Sequence, residues 1–176
     1  MIKHYKDILN AELCEWLIDT FENSDKQDIK DDIMNFSQYN FTTDRANVLD
    51  GEEKHQEIVD CLQKILKEYL KDVEARVFPK IGGIEELRVK RYLKNSSQEF
   101  KLHIDNADKD SSCRALAFLF YLNDSDGDTV FPSHGLAATP VQGSVLIFPP
   151  TWEYPHIGKE PKEKDKYIMS TYLHYG

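Results

Sequence analysis

Apolar residues recur at helical spacing in two stretches of the first half of the chain and crowd into short segments in the second. Leu13, Trp16, Leu17 and Phe21 share one face of a helix that Asn10 can cap. Ile58, Leu62, Ile65, Leu66, Tyr69 and Val73 form a longer stripe between about Glu53 and Arg76, with lysines and acids opposite. Both stripes read as core-facing surfaces. Between them, Ser24 to Asp50 is polar apart from islands at Phe36, Tyr39 and Phe41, and reads as a long loop or irregular excursion.

At Phe78 the pattern changes. Leu87–Leu93, Glu99–Ile104, Arg114–Leu122, Thr129–Phe131, Ser144–Phe148 and Lys166–Tyr175 are rich in Val, Ile, Phe and Tyr and are separated by Gly, Pro, Asn and Asp. Many short strands with turn residues between them predict a barrel or a two-sheet jelly roll. With the N-terminal helices packed on one sheet, the expected fold is a single α+β domain over residues 1–176. Residues 1–85 are mainly helical support and 86–176 form the strand core.

Composition narrows this modestly. A chain of 176 residues, 40% hydrophobic and 30% charged, can bury a core without disulfide or metal staples. The segment after Met1 lacks signal-peptide character, and no apolar run approaches a membrane span. Cys14, Cys61 and Cys113 form no CxxC pair and read as buried free thiols, which points to the cytoplasm. A net charge of −9 disfavours nucleic acid and would attract a basic peptide, although acidity also serves solubility alone.

Candidate chemistry begins at His103-Ile104-Asp105. Alternate strand residues share a face, so the imidazole and carboxylate project together. His156, after Pro155, can supply a third ligand. Two His and one carboxylate on one side of an ion form the non-haem iron(II) facial triad, which leaves positions open for a cosubstrate and O2. An HxD alone is common, and a lone His is more often structural. His4, His55, His134 and His174 have no partner at ligand spacing; His55, at a helix start, reads as solvated. Lys166 opens the last expected strand. If it lines the pocket it needs an anion, such as the distal carboxylate of 2-oxoglutarate. Otherwise it merely extends the solvated run from Lys159 to Asp165.

Further segments settle these alternatives. Arg91-Tyr92 precedes the HxD strand, and Arg114 opens a strand ending Tyr121-Leu122-Asn123. Gly127 to Pro132 is similar to a GGxTxFP motif, Pro140 to Phe148 fits PxxGxxxxF, and Pro155-His156 is followed by Lys166-Tyr167. In this order, from about Glu86 to Gly176, the sequence resembles the prolyl-4-hydroxylase-like family of 2-oxoglutarate/Fe(II)-dependent oxygenases. The resemblance implies a double-stranded β-helix (jelly roll) and a dioxygenase that hydroxylates a prolyl residue in a peptide or protein. It implies iron ligation by His103, Asp105 and His156, and a distal carboxylate paired with Lys166 and hydrogen-bonded by Tyr121. Tyr92 would face the keto-acid end or the substrate, and Ser170 would support the cosubstrate. Fe(II), 2-oxoglutarate, O2 and ascorbate are the implied small molecules.

One departure stands out: Tyr172, where many relatives carry Trp. Hydroxylation of a free amino acid or other small molecule is the alternative activity, and a metal-binding jelly roll without turnover the alternative class. A nucleic-acid demethylase of the AlkB type is disfavoured, because Lys166 stands where that group carries an arginine pair. The excursion from Ser24 to Asp50 is expected to act as a mobile substrate loop.

Overall fold

The computed structural model describes residues 1–176. In chain order its elements are β1 (Lys3–Tyr5), α1 (Ala11–Glu22), β2 (Gln27–Lys30), β3 (Asn35–Asn40), α2 (Phe41–Asp44), α3 (Gly51–Asp72), β4 (Ile81–Ile84), β5 (Arg88–Tyr92), β6 (Phe100–His103), β7 (Arg114–Tyr121), β8 (Thr129–Phe131), β9 (Leu136–Ala138), β10 (Val145–Phe148), β11 (His156–Gly158) and β12 (Lys166–Tyr175). The strands expected after Glu86 all form, each within one residue of the expected bounds. They belong to two mainly antiparallel sheets. A large sheet runs β1-β10-β7-β12-β5-β3-β2 with β4 also on β12, and a small one runs β6-β11-β8-β9. This is the expected jelly roll.

Strand alternation divides the interior into two cores. Phe118 and Phe120 of β7, Val145 and Ile147 of β10, and Met169 of β12 face α1 and α3. The intervening Ala117, Tyr121, Leu146, Phe148 and Ile168 face the small sheet, where Phe131 and Ala138 meet them. In α1 the Asn10 side chain accepts the Leu13 N–H at 2.8 Å, as a capping residue should. α3 starts at Gly51 and stops at Asp72, short of the expected Arg76. Its stripe buries Ile58, Leu62, Ile65 and Tyr69. Leu62→Ala is therefore expected to cost about 2–5 kcal/mol in denaturant unfolding, whereas Lys64→Ala on the exposed face should change little.

The excursion from Ser24 to Asp50 is not a loop. β2 and β3 pair as a hairpin on the edge of the large sheet, and α2 follows. The sequence hides this because β2 is an exposed edge strand and needs no apolar face, while β3 carries polar Ser37 inside, bonded to Asp28 at 2.6 Å. At its tip the hairpin bridges to the small sheet: Met34 pairs with Phe100, and the Asn35 and Lys101 N–H groups donate to Glu99 and Ile33 carbonyls. It thus forms one wall between the sheets. The short β1, β4, β9 and β11 also escape sequence periodicity, being only three or four residues long. Among the thiols, Cys14 alone is buried; Cys61 and Cys113 are partly exposed, on the rim of α3 and at the mouth of β7. His55 is half-buried against Phe41 and is not a solvated residue.

Gly143, the glycine of the PxxGxxxxF segment, sits at φ +78°, and a Cβ there would lie 2.2 Å from the Leu9 carbonyl oxygen. Its own carbonyl accepts the N–H groups of Ile8 and Leu9, fastening the N-terminal strand to the sheet.

Candidate active site

His103 ends β6, and His156 begins β11 directly opposite it in the antiparallel register. Two imidazoles are thereby set side by side, with ring centroids 4.2 Å apart. Register shifts between His156 and Gly158, because three steps along β6, from Phe100 to His103, oppose two along β11. This bulge has a local consequence. Residues three apart on a regular strand point to opposite faces, yet Phe100 and His103 both line the cavity and stack at 3.4 Å between centroids. The phenyl ring holds the imidazole in plane.

Asp105 lies just beyond β6. Its main chain is fixed by Arg114, whose Nη1 donates to the Asp105 carbonyl at 2.7 Å. Arg114 is itself clamped by Glu85 through Nε and Nη2, at 2.8 and 2.7 Å. Burial alone would raise the Glu85 pKa, but Arg114, Arg88 and His174 draw it down to about 2, so the clamp is a fixed anion. Neither Glu85 nor Arg114 was singled out as a site residue from sequence. Only the position of Arg114 at the head of a strand near the HxD segment could have drawn attention to it.

The carboxylate oxygens of Asp105 lie 3.3 Å from His103 Nε2 and 3.5 Å from His156 Nε2, and all three side chains are at most 8% exposed. The potential ligand atoms fall within 4.8 Å of one another. Bonds of about 2.0–2.2 Å to a first-row ion put adjacent ligands roughly 3 Å apart, so the set can close on one ion with little movement. Each imidazole donates its Nδ1–H to a main-chain carbonyl: His103 to Lys101 at 2.7 Å, His156 to Tyr154 at 3.1 Å. The Nε2 lone pairs are left for the metal. Burial pushes the His156 pKa down, which favours the neutral ligand form. Burial works against the Asp105 charge, but His156, His103 and Lys90 more than offset it and hold the carboxyl well below the usual range. Two neutral imidazoles and one carboxylate on one side of an open cavity suit iron(II).

The cavity between the sheets is lined at one end by the triad and at the other by Lys166. Lys166 is 1% exposed and belongs to the interior, not to the solvated run before it. Its Nζ donates to the carbonyls of Gly127 and Lys159 at 3.0 and 2.7 Å and lies 4.3 Å from the Tyr92 ring centroid. No carboxylate pairs with it. Gly127 is required for this approach, since a Cβ there would meet Lys166 Nζ at 3.2 Å and the Lys159 carbonyl oxygen at 2.9 Å. Burial lowers the Lys166 pKa to about 7, although Asp128 and Asp126 oppose the shift. The ammonium is a site short of one anion.

Other expected residues fall less simply. Ser170 lines the cavity between the two ends. Tyr92 sits beneath the Lys166 ammonium, opposite it in the strand register. Tyr121 stands one layer back. Its hydroxyl lies 2.7 Å from Thr129 Oγ1, and it is Thr129 that faces the cavity. Tyr172 is buried under the Arg114 guanidinium, 4.0 Å from the ring centroid. Lys90 is the lining residue the sequence concealed. It falls in β5 between Arg88 and Arg91, among cations that look alike in sequence, and burial lowers its pKa to about 8 despite the nearby Asp105 charge.

The pH dependence has a definite sign. An unfolded lysine titrates near 10.4, so between pH 7 and about 10 the unfolded chain holds a proton that folded Lys166 has lost. The ligand-free protein should gain stability as pH rises through that window, and the penalty is fully present below pH 7. Thermal unfolding from pH 6.5 to 9 should show the rise, and Lys166→Met should remove its lower part. Affinity for 2-oxoglutarate should move the opposite way, weakening above pH 7 as the ammonium is lost.

A family model described as the 2OG-Fe(II) oxygenase superfamily matches residues 87–174. No curated protein sequence matches the chain. Among solved structures, a viral collagen prolyl hydroxylase from Paramecium bursaria Chlorella virus-1, in complex with 2OG, aligns with TM-score 0.74 at 21% identity. That alignment covers 99% of this chain and 96% of the other. A prolyl hydroxylase from Trichoplax adhaerens, in complex with a hypoxia inducible factor oxygen degradation domain peptide fragment, gives 0.77 at 16% identity, covering 99% and 83%. A Pseudomonas putida prolyl-4-hydroxylase gives 0.75 at 14%, covering 99% and 92%. At these identities the likeness establishes the shared fold.

Proposed function

The chain belongs to the 2-oxoglutarate and Fe(II) oxygenase superfamily, and from that premise we propose that it hydroxylates a prolyl residue in a peptide or protein. The observation that carries the reading is the buried, anion-less Lys166 at the opposite end of one cavity from the His103–Asp105–His156 cluster. A dicarboxylate cosubstrate spans such a pair of sites, one end chelating and the other ion-paired. The prolyl assignment is supported by the structural neighbours, all described as prolyl hydroxylases, one of them bound to a peptide fragment.

Bound iron(II) and 2-oxoglutarate supply the O2-dependent oxidation of an unactivated C–H bond. The protein's part is to bind, orient and keep dry. His103, Asp105 and His156 would hold the metal at the cavity wall. Lys166, seated over the Tyr92 ring, would hold the distal carboxylate, with Thr129 beside it kept in place by Tyr121. Phe100 and Phe148 wall the metal end with apolar surface, which excludes bulk water from the reacting centre. We include ascorbate as the reductant that maintains the ferrous state. The free Cys14, Cys61 and Cys113 favour a reducing compartment such as the cytoplasm.

The test is succinate release with proline-rich peptides, free proline and methylated oligonucleotides side by side. Stimulation by the peptides is expected. Stimulation by free amino acids alone would defeat the peptidyl reading.

A further inference from the structure

Lys90 projects from β5 into the cavity and is 9% exposed. Its ammonium has no hydrogen-bond or ion-pair partner and lies 5.2 and 6.0 Å from the Phe36 and Phe100 ring centroids. The neighbouring cations are engaged: Arg88 and Arg114 by Glu85, Lys166 by two carbonyls. The strand register sets Tyr92 opposite Lys166 and Lys90 opposite Ile168. Lys90 is thus displaced by two residues, roughly 7 Å, toward the end where the metal ligands lie.

Charge sharpens the point. Iron(II), the Asp105 carboxylate, doubly ionised 2-oxoglutarate and the Lys166 ammonium together carry no net charge. Lys90 then adds one buried positive charge that no protein group and no part of the cosubstrate neutralises. Burying such a charge is costly unless an anion meets it.

Resting on the oxygenase reading above, we propose that Lys90 is a specificity-determining residue that pairs with a carboxylate of the substrate close to the carbon that reacts. That carboxylate is either an acidic side chain beside the target residue or a free α-carboxylate. Both present the same planar anion to an ammonium. The acidic outer surface does not conflict with this, because recognition occurs inside a cavity whose wall carries the opposite sign.

The test uses the full chain loaded anaerobically with Mn(II) and 2-oxoglutarate, and reads binding by calorimetry without turnover. Matched pairs differ only in the anion: Glu against Gln beside proline in a peptide, C-terminal prolyl acid against amide, and L-proline against L-prolinamide. At least one acid is expected to bind about ten-fold tighter than its amide, as a charge-assisted hydrogen bond provides. The pair that discriminates identifies the source of the carboxylate. Lys90→Met should erase the difference, Lys90→Arg should keep part of it, and affinity for 2-oxoglutarate should change less than about three-fold. Acids and amides that behave alike in every pair would overturn the proposal. So would a loss of 2-oxoglutarate affinity in Lys90→Met as large as the loss of discrimination, which would assign Lys90 to the cosubstrate. The first titration, of 2-oxoglutarate into the wild-type protein, separates the two readings: no binding there defeats the oxygenase site itself.

Discussion

Asp105→Ala should leave a folded protein that retains almost no iron and releases no measurable succinate in excess of background. Removing a group that merely orients a metal ligand costs 10–100-fold in affinity or activity. Asp105 is the only anion of the triad, so its loss should cost more, about 10³-fold. The reason lies in the surroundings. His103, His156 and Lys90 all bear on this carboxylate and keep it ionised despite burial. Without it, two imidazoles and an ammonium share a cavity that no longer attracts a divalent cation. Iron content after anaerobic loading and desalting, read beside succinate release, checks the prediction. Near-stoichiometric iron in the variant would show that the site is held elsewhere.

Lys166→Met should raise the dissociation constant for 2-oxoglutarate by about 100-fold, in the range of a charge-assisted hydrogen bond made in a dry site. Iron binding should be nearly unchanged, since Lys166 stands at the far end of the cavity. The same substitution should stabilise the ligand-free protein. Wild-type folding buries a lysine whose ammonium is disfavoured enough to titrate near 7, and methionine fills similar space without a charge. Opposite signs for stability and cosubstrate affinity distinguish a binding residue from a structural one. Lys166→Arg should recover part of the affinity, limited by the close packing of Gly127. Calorimetric titration and thermal unfolding of the three proteins read both quantities.

The strand core and the metal ligands were legible in the sequence because both obey short-range rules. Runs rich in β-branched and aromatic residues between turn residues placed β5, β6, β7, β8, β10 and β12, and HxD at the end of a strand announced two ligands on one face. What escaped depends on contacts between distant segments. The β2–β3 hairpin has a polar sequence because one strand is an exposed edge and its partner buries a serine already bonded across the pair. Lys90 is covered by Phe36 of β3 and Phe100 of β6, contacts that its own strand does not encode. The bulge that turns Phe100 and His103 to the same side is a matter of pairing register, which no single strand encodes. Tyr121 was placed in the right neighbourhood but one layer too close, because its distance from the cavity depends on Thr129.

In the proposed site, His103, Asp105, His156 and Lys166 together hold iron(II) and 2-oxoglutarate as one unit. Anaerobic titration of 2-oxoglutarate into the Fe(II)-loaded protein, followed in the visible region, tests it most directly. A weak metal-to-ligand charge-transfer band is expected that saturates with one cosubstrate per chain, is absent in His103→Ala and needs far more 2-oxoglutarate in Lys166→Met. A wild-type protein that gives no band, or a band unaffected by either substitution, would contradict it.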